Sequence, residues 1–124
     1  MKSALTLMTE AHLSFISGDV NKAYEVCDPE LQYTLGSWSG HSLAGMIELA
    51  SNFFNGNIAQ IVSVDYLKEI ESDNGQECWA LTRWAFEKQG VRGRDVLLAM
   101  YARSEKDQIN ELAYYGDMSP FMEP

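Results

Sequence analysis

The chain has 124 residues, 46% of them hydrophobic and 22% charged, with a formal charge of −9. That is enough for one core and too little for two, and it lies far from the composition of a disordered segment. The acidic balance repels phosphate backbones and excludes nucleic acid as a partner. No apolar run approaches the roughly 20 residues that span a bilayer, so no membrane association is expected.

The opening MKSALTLMTEAHLSF is interrupted by Glu10 and His12 and carries no small-residue cleavage site, so it reads as a first helix and the chain as cytoplasmic. Ala4, Leu5, Leu7, Met8, Ala11 and Phe15 recur at helical spacing over residues 3–17. Gly18 stops this helix, and Asp19 can cap a shorter one through Val20, Ala23, Tyr24 and Val26. Pro29 forbids continuation. Alternation at Leu31, Tyr33 and Leu35 predicts a short strand, and Gly36–Gly40 a loop. A third helix is expected from His41 to Phe54, capped by Ser39 or Ser42 and ended by Asn55-Gly56.

From Asn57 the period changes to 2. Strand-like runs at about 59–71, 77–88, 94–104 and 108–116 are separated by Asp73-Asn74-Gly75, Gln89-Gly90 with Gly93, and Glu105-Lys106-Asp107. Helices first and a meander second predict an α+β domain spanning residues 1–124, with three N-terminal helices on one face of a curved antiparallel sheet.

Cys27 and Cys78 lie far apart without a CxxC pairing and read as two buried thiols. No Cys and His cluster has metal-ligand spacing, so no metal or cofactor is expected. The charge is uneven: residues 82–104 carry five basic and two acidic groups in an otherwise acidic chain. This island, Arg83, Lys88, Arg92, Arg94 and Arg103, either pairs with acidic neighbours across strands or an interface, or binds an anion.

Four stretches carry a resemblance. FISGD at 15–19 leads into the short second helix, and SGHSLAGMIELASNFF at 39–54 forms the third. FEKQG at 86–90 makes a hairpin turn, and MYARSEKDQINELAYYGD at 100–117 makes the closing hairpin. In this order they resemble the nuclear-transport-factor-2-like superfamily, which includes ketosteroid isomerase, scytalone dehydratase, limonene epoxide hydrolase and the SnoaL-like polyketide cyclases. The resemblance implies a cone of three helices on a strongly bent sheet, an apolar pocket inside, and dimerisation through the outer sheet face.

Extending the ketosteroid isomerase register puts Thr82, Trp84 and Phe86 on the pocket side, with Leu97, Ala99 and Tyr101 on the next strand and Leu112 and Tyr114 on the last. Phe15, Tyr33 and Trp38 complete the expected pocket, Trp38 as a lid or wall. Trp79, Leu81, Arg83 and Ala85 would face outward, an apolar stripe suited to a homodimer. The isomerase's base and oxyanion donors would fall at Leu35, Ala11 and Ala99, which cannot transfer a proton. The epoxide hydrolase relay also lacks its partner, since Ala85 follows Arg83 by two residues and Arg94-Asp95 has the wrong spacing. Of the remaining polar residues, His12 and Tyr101 are the catalytic candidates, with Tyr24, Tyr33, His41, Asp65 and Tyr114 as lesser pieces.

Three readings follow. A domain that binds a small apolar molecule in the cone comes first. An isomerase, dehydratase or cyclase of small apolar or polyketide-like substrates is the second. A non-catalytic dimerisation module is the third.

Overall fold

The computed structural model describes residues 2–54, 56 and 58–122. Two helices open the chain, α1 at Ala4–Ser17 and α2 at Val20–Val26. Ser3 caps α1 by accepting from the Thr6 amide, and Gly18 ends it in the left-handed region at φ 76°. Asp19 caps α2 by accepting from the Lys22 amide. Strand β1 spans Cys27–Leu35, longer than the alternation predicts. Its first residues join the sheet through an irregularity between Cys27 and Gln32, where Asp28 accepts from the Glu30 amide at 2.8 Å. The expected loop contains a short strand, β2 at Trp38–Gly40, folded back on β1.

Helix α3 covers Leu43–Phe53, with Ser42 as its cap, so His41 lies outside it and exposed. In the stretch that follows, Asn55 and Asn57 lie outside the described residues. Four further strands are β3 at Gln60–Glu71, β4 at Glu77–Lys88, β5 at Val91–Arg92 and β6 at Val96–Glu105. They are followed by β7 at Gln108–Tyr115 and a last helical turn, α4, at Ser119–Met122.

The seven strands form one curved, unclosed sheet in the order β2-β1-β7-β6-β4-β3, with β5 on β4. The expectation of a wholly antiparallel sheet needs correction, because β1 runs parallel to β7. Between these two strands the chain traverses α3 and the whole β3–β7 meander, and β1 enters beside the last strand in the same sense. Helix α1 packs across β3, β4, β6 and β7, and α3 packs on β1. The core between them includes Leu7, Met8, Leu31, Met46, Phe53, Phe54, Trp84 and Tyr114. Cys27 and Cys78 are free and buried, and burial pushes both thiols up to about 12. No described helix is long and apolar enough to cross a membrane.

Candidate functional site

The concave side of the sheet is built from alternate residues of β4, β6 and β7. Thr82, Trp84, Phe86, Leu112 and Tyr114 all point inward and are fully buried. The β4–β6 register pairs Trp84 with Val96, Thr82 with Leu98 and Ala80 with Met100. Directly paired residues of an antiparallel ladder share a face, so Leu98, Met100 and Ala102 face inward. The expected pocket positions Leu97, Ala99 and Tyr101 are therefore corrected: they stand on the outer face, where Leu97 is 56% exposed. The reason lies in the link between the strands. After Gln89-Gly90, β5 pairs back on β4, and the chain then leaves at Gly93 and joins β6 at Val96, a detour that sets the opposite parity.

Tyr101 consequently does not reach the interior. Its hydroxyl donates to Glu77 Oε2 at 2.7 Å on the outer face, and burial together with this carboxylate raises the phenol to about 12. His12, in contrast, is inside, at 1% exposure. Its Nδ1 is 2.9 Å from the Tyr114 hydroxyl, and its Nε2 has no hydrogen-bond partner. The ring meets Trp84 edge-on at 4.7 Å and lies 6.0 Å from Phe54 and 6.4 Å from Tyr66. Full burial among these rings desolvates the imidazole and drives it down to about 3. Burial also lifts Tyr114 well above the usual phenol range. Both groups are neutral at physiological pH, so the pair is a hydrogen-bonded dipole with no charged member.

Thr82 and Trp84 are engaged locally. Trp84 Nε1 donates to Thr82 Oγ1 at 2.7 Å, which in turn donates to the Leu98 carbonyl at 2.7 Å. Around this line the cone is filled by the protein's own rings. Phe54 packs on Trp84 at 4.9 Å, and Phe121 of α4 contacts Phe53, Trp84 and Phe86 at 6.3, 6.4 and 4.8 Å. Phe121 is fully buried, and its carbonyl accepts from Lys88 Nζ at 2.8 Å. The last turn of the chain thus fills one end of the expected pocket.

Of the other expected lining residues, Phe15 is buried and borders a cleft of about 260 Å³ between α1, α2 and α3. Tyr33 is buried, with its hydroxyl against Gly40 and Gly45, where any Cβ would overlap it. Trp38 packs on Phe53 at 5.0 Å and borders a shallow surface cleft with Tyr115, Met118 and Met122. Tyr24 is exposed, and Asp65 is an exposed strand carboxylate paired with Arg83 at 3.1 Å.

A larger cavity, of about 580 Å³, lies at the end of the cone where β3 begins, β4 turns into β5 and α4 packs. Ile58, Phe86, Val91 and Pro120 form apolar walls, and Lys88, Arg92 and Arg94 stand among its lining. The basic island therefore divides. Arg83 pairs with Asp65, and Arg103 with Glu111 at 3.4 Å, on the outer face. The other three cations converge on the cavity. Sequence reasoning identified the island but missed its convergence, and it missed Phe54, Tyr66 and Phe121 as interior groups. The signal for Phe121 was an aromatic residue beyond the last strand. Among the described residues no three His, Cys, Asp or Glu side chains come together as a metal site.

Comparison with family models and with characterised protein sequences finds no match. Solved structures match over nearly the whole chain. An NTF2-like protein of unknown function from Cytophaga hutchinsonii superposes with a TM-score of 0.71 at 13% identity, covering 99% of this chain and 97% of that one. A computationally designed 17-OHP binder gives 0.77 at 13% identity, with 96% of each chain covered. An LEH-like epoxide hydrolase of Mycobacterium tuberculosis gives 0.74 at 10% identity, covering 96% of this chain and 81% of that one. The chain has the nuclear-transport-factor-2-like, SnoaL-like fold.

Proposed function

We propose that this domain binds a small apolar molecule at the end of the cone and works as a homodimer. The observation that carries the binding reading is the cavity of about 580 Å³ walled by Ile58, Phe86, Val91 and Pro120. Its size and apolar lining with a few convergent polar groups are those of a small-molecule site. Other proteins of this fold carry names such as a designed 17-OHP binder and an LEH-like epoxide hydrolase, which is in keeping with ligands housed at this cone. An isomerase, dehydratase or cyclase would need a proton carrier touching its substrate. His12 and Tyr114 are the interior pair available, but both are enclosed by rings and neutral, which favours binding over catalysis.

Support for the homodimer comes from the outer sheet face. Ile70, Trp79, Leu81, Leu97 and Tyr115 are exposed there, and Trp79 packs beside Tyr101 at 4.8 Å and stacks on Tyr115 at 6.2 Å. The Arg83–Asp65 and Arg103–Glu111 pairs flank this stripe, an arrangement of apolar centre and polar rim.

The binding reading is tested by titrating the isotopically labelled protein with neutral apolar probes, decanol and naphthalene, and following the amide resonances. Saturable shifts at Ile58, Phe86, Val91 and Gly93 are expected. Shifts confined to the outer sheet face, or none, overturn it.

A further inference from the structure

We infer that the cleft of about 260 Å³ between α1, α2 and α3 is a second binding site, for a small primary ammonium compound with an apolar body. It stands apart from the cavity at the end of the cone and does not depend on what that cavity holds. Phe15, Ala23 and Ala50 are its buried apolar lining, with the exposed Val20 and half-buried Ile47 beside them. Ala23 and Ala50 are the short side chains where α2 and α3 face each other, which leaves the space between the helices open.

The polar side chains of this lining are Ser14, Asp19 and Ser51, and each presents an acceptor. Ser14 is buried, and its hydroxyl donates to the Ala11 carbonyl at 2.6 Å. The Ser51 hydroxyl donates to the Glu48 carbonyl at 2.7 Å. With their protons engaged, both oxygens keep lone pairs for a donor. Asp19 accepts from the Lys22 amide through Oδ1 at 3.1 Å, and its second oxygen can take another donor. Residues 4–53 carry six acidic side chains and one basic one, so the field over these helices is negative. That one cation, Lys22, is held by Glu25 at 3.4 Å and Glu10 at 3.8 Å. A primary ammonium supplies donors to this set and a charge opposite to Asp19. A neutral alcohol would gain nothing from the field, and an anion would meet Asp19 as a like charge. A bare ammonium ion would leave the Phe15 wall wet. Only an amphipathic cation uses both surfaces.

The test titrates isotopically labelled protein with 2-phenylethylamine, 2-phenylethanol, 3-phenylpropionate and ammonium chloride, followed by amide shifts. The amine is expected to shift Ser14, Phe15, Ala23 and Ala50 saturably. It is expected to bind at least about fivefold tighter than the alcohol, the effect of one charge-assisted contact at an exposed carboxylate. Asp19→Asn keeps an effective helix cap and removes the charge. This variant is expected to bring the amine down to the affinity of the alcohol while leaving the alcohol unchanged. Equal affinities for amine and alcohol in the wild type, or equal affinities for amine and phenylpropionate, overturn the cationic class. Ammonium chloride binding as tightly as the amine overturns the requirement for an apolar body. Amine shifts at Ile58, Phe86, Val91 and Gly93 in place of the helical residues overturn the second site and leave the cone-end reading standing. The absence of any saturable shift at Ser14, Phe15, Ala23 and Ala50 likewise overturns it.

Discussion

His12 is enclosed by Phe54, Tyr66, Trp84 and Tyr114, and its single hydrogen bond is to the Tyr114 hydroxyl. Its environment has a consequence for stability that is independent of function. In the unfolded chain His12 takes up a proton near pH 6.5, whereas in the folded chain it does so only near pH 3. Between these values the unfolded state binds more protons, so stability is complete above pH 6.5 and falls as the pH is lowered towards 3. The expected slope is about 1.4 kcal/mol per pH unit. It should show as a pH-dependent difference in urea unfolding free energy between the wild type and His12→Phe. A difference that stays flat from pH 4 to 8 would contradict the buried, neutral imidazole. Sequence periodicity put His12 on the first helix, yet it could not distinguish the Glu10 side from the core side. Burial here depends on which face of α1 meets β4 and β7, a matter of packing between elements distant in sequence.

At the scale of elements, the last helical turn and β6 show where local reading stops. Residues 119–122 have no hydrophobic period to announce a helix, and a single turn is marginal by itself. What holds α4 is Phe121, inserted among Phe53, Trp84 and Phe86, with the Lys88 ammonium on its carbonyl. Phe121→Ala should therefore cost about 3–5 kcal/mol of stability, measured by urea denaturation. It should also open the cone interior to a neutral apolar dye that the wild type excludes. A variant of wild-type stability would show that the turn is not part of the core. Strand β6 was legible as a strand from its alternation, but its two faces were interchanged. Both parities leave apolar residues on each side: Leu98, Met100 and Ala102 on one, Leu97, Ala99 and Tyr101 on the other. Only Arg103 and Glu105, at the end of the strand, mark the solvent side; over residues 96–102 the pattern does not choose, and the β5 detour made the choice.

For the whole molecule, the outer face and the filled cone belong together. The stripe of Trp79, Leu81, Leu97 and Tyr115 lies on the convex side of the sheet whose concave side is closed by α1, α3 and α4. An apolar stripe of this kind in water is unfavourable unless covered. The proposed homodimer would cover it with the same stripe of a second copy, as two-fold symmetry allows. Analytical ultracentrifugation at micromolar concentration is expected to give twice the 14.0 kDa of the chain. Trp79→Glu, which places a carboxylate at the centre of the stripe beside Glu77, is expected to return it to the single-chain mass. A wild-type mass of one chain would remove the dimer from the proposal.

Sequence by itself determined the order of the three N-terminal helices and the long strands, the Asp19 cap and the turns, and it offered Ser42 as one of two caps for the third helix. These follow from short-range rules: period, capping chemistry and the positions of glycine and proline. It also marked the basic island, since charge is visible without a fold. Only the tertiary structure decided the parallel β1–β7 pairing, the parity of β6, the burial of His12 and the insertion of Phe121. Tertiary structure likewise split the island, sending Arg83 and Arg103 to carboxylates on the sheet and Lys88, Arg92 and Arg94 to one apolar-walled cavity. Each of these depends on contacts between residues far apart in the chain. Their energies are set by what packs against what, which no local pattern encodes.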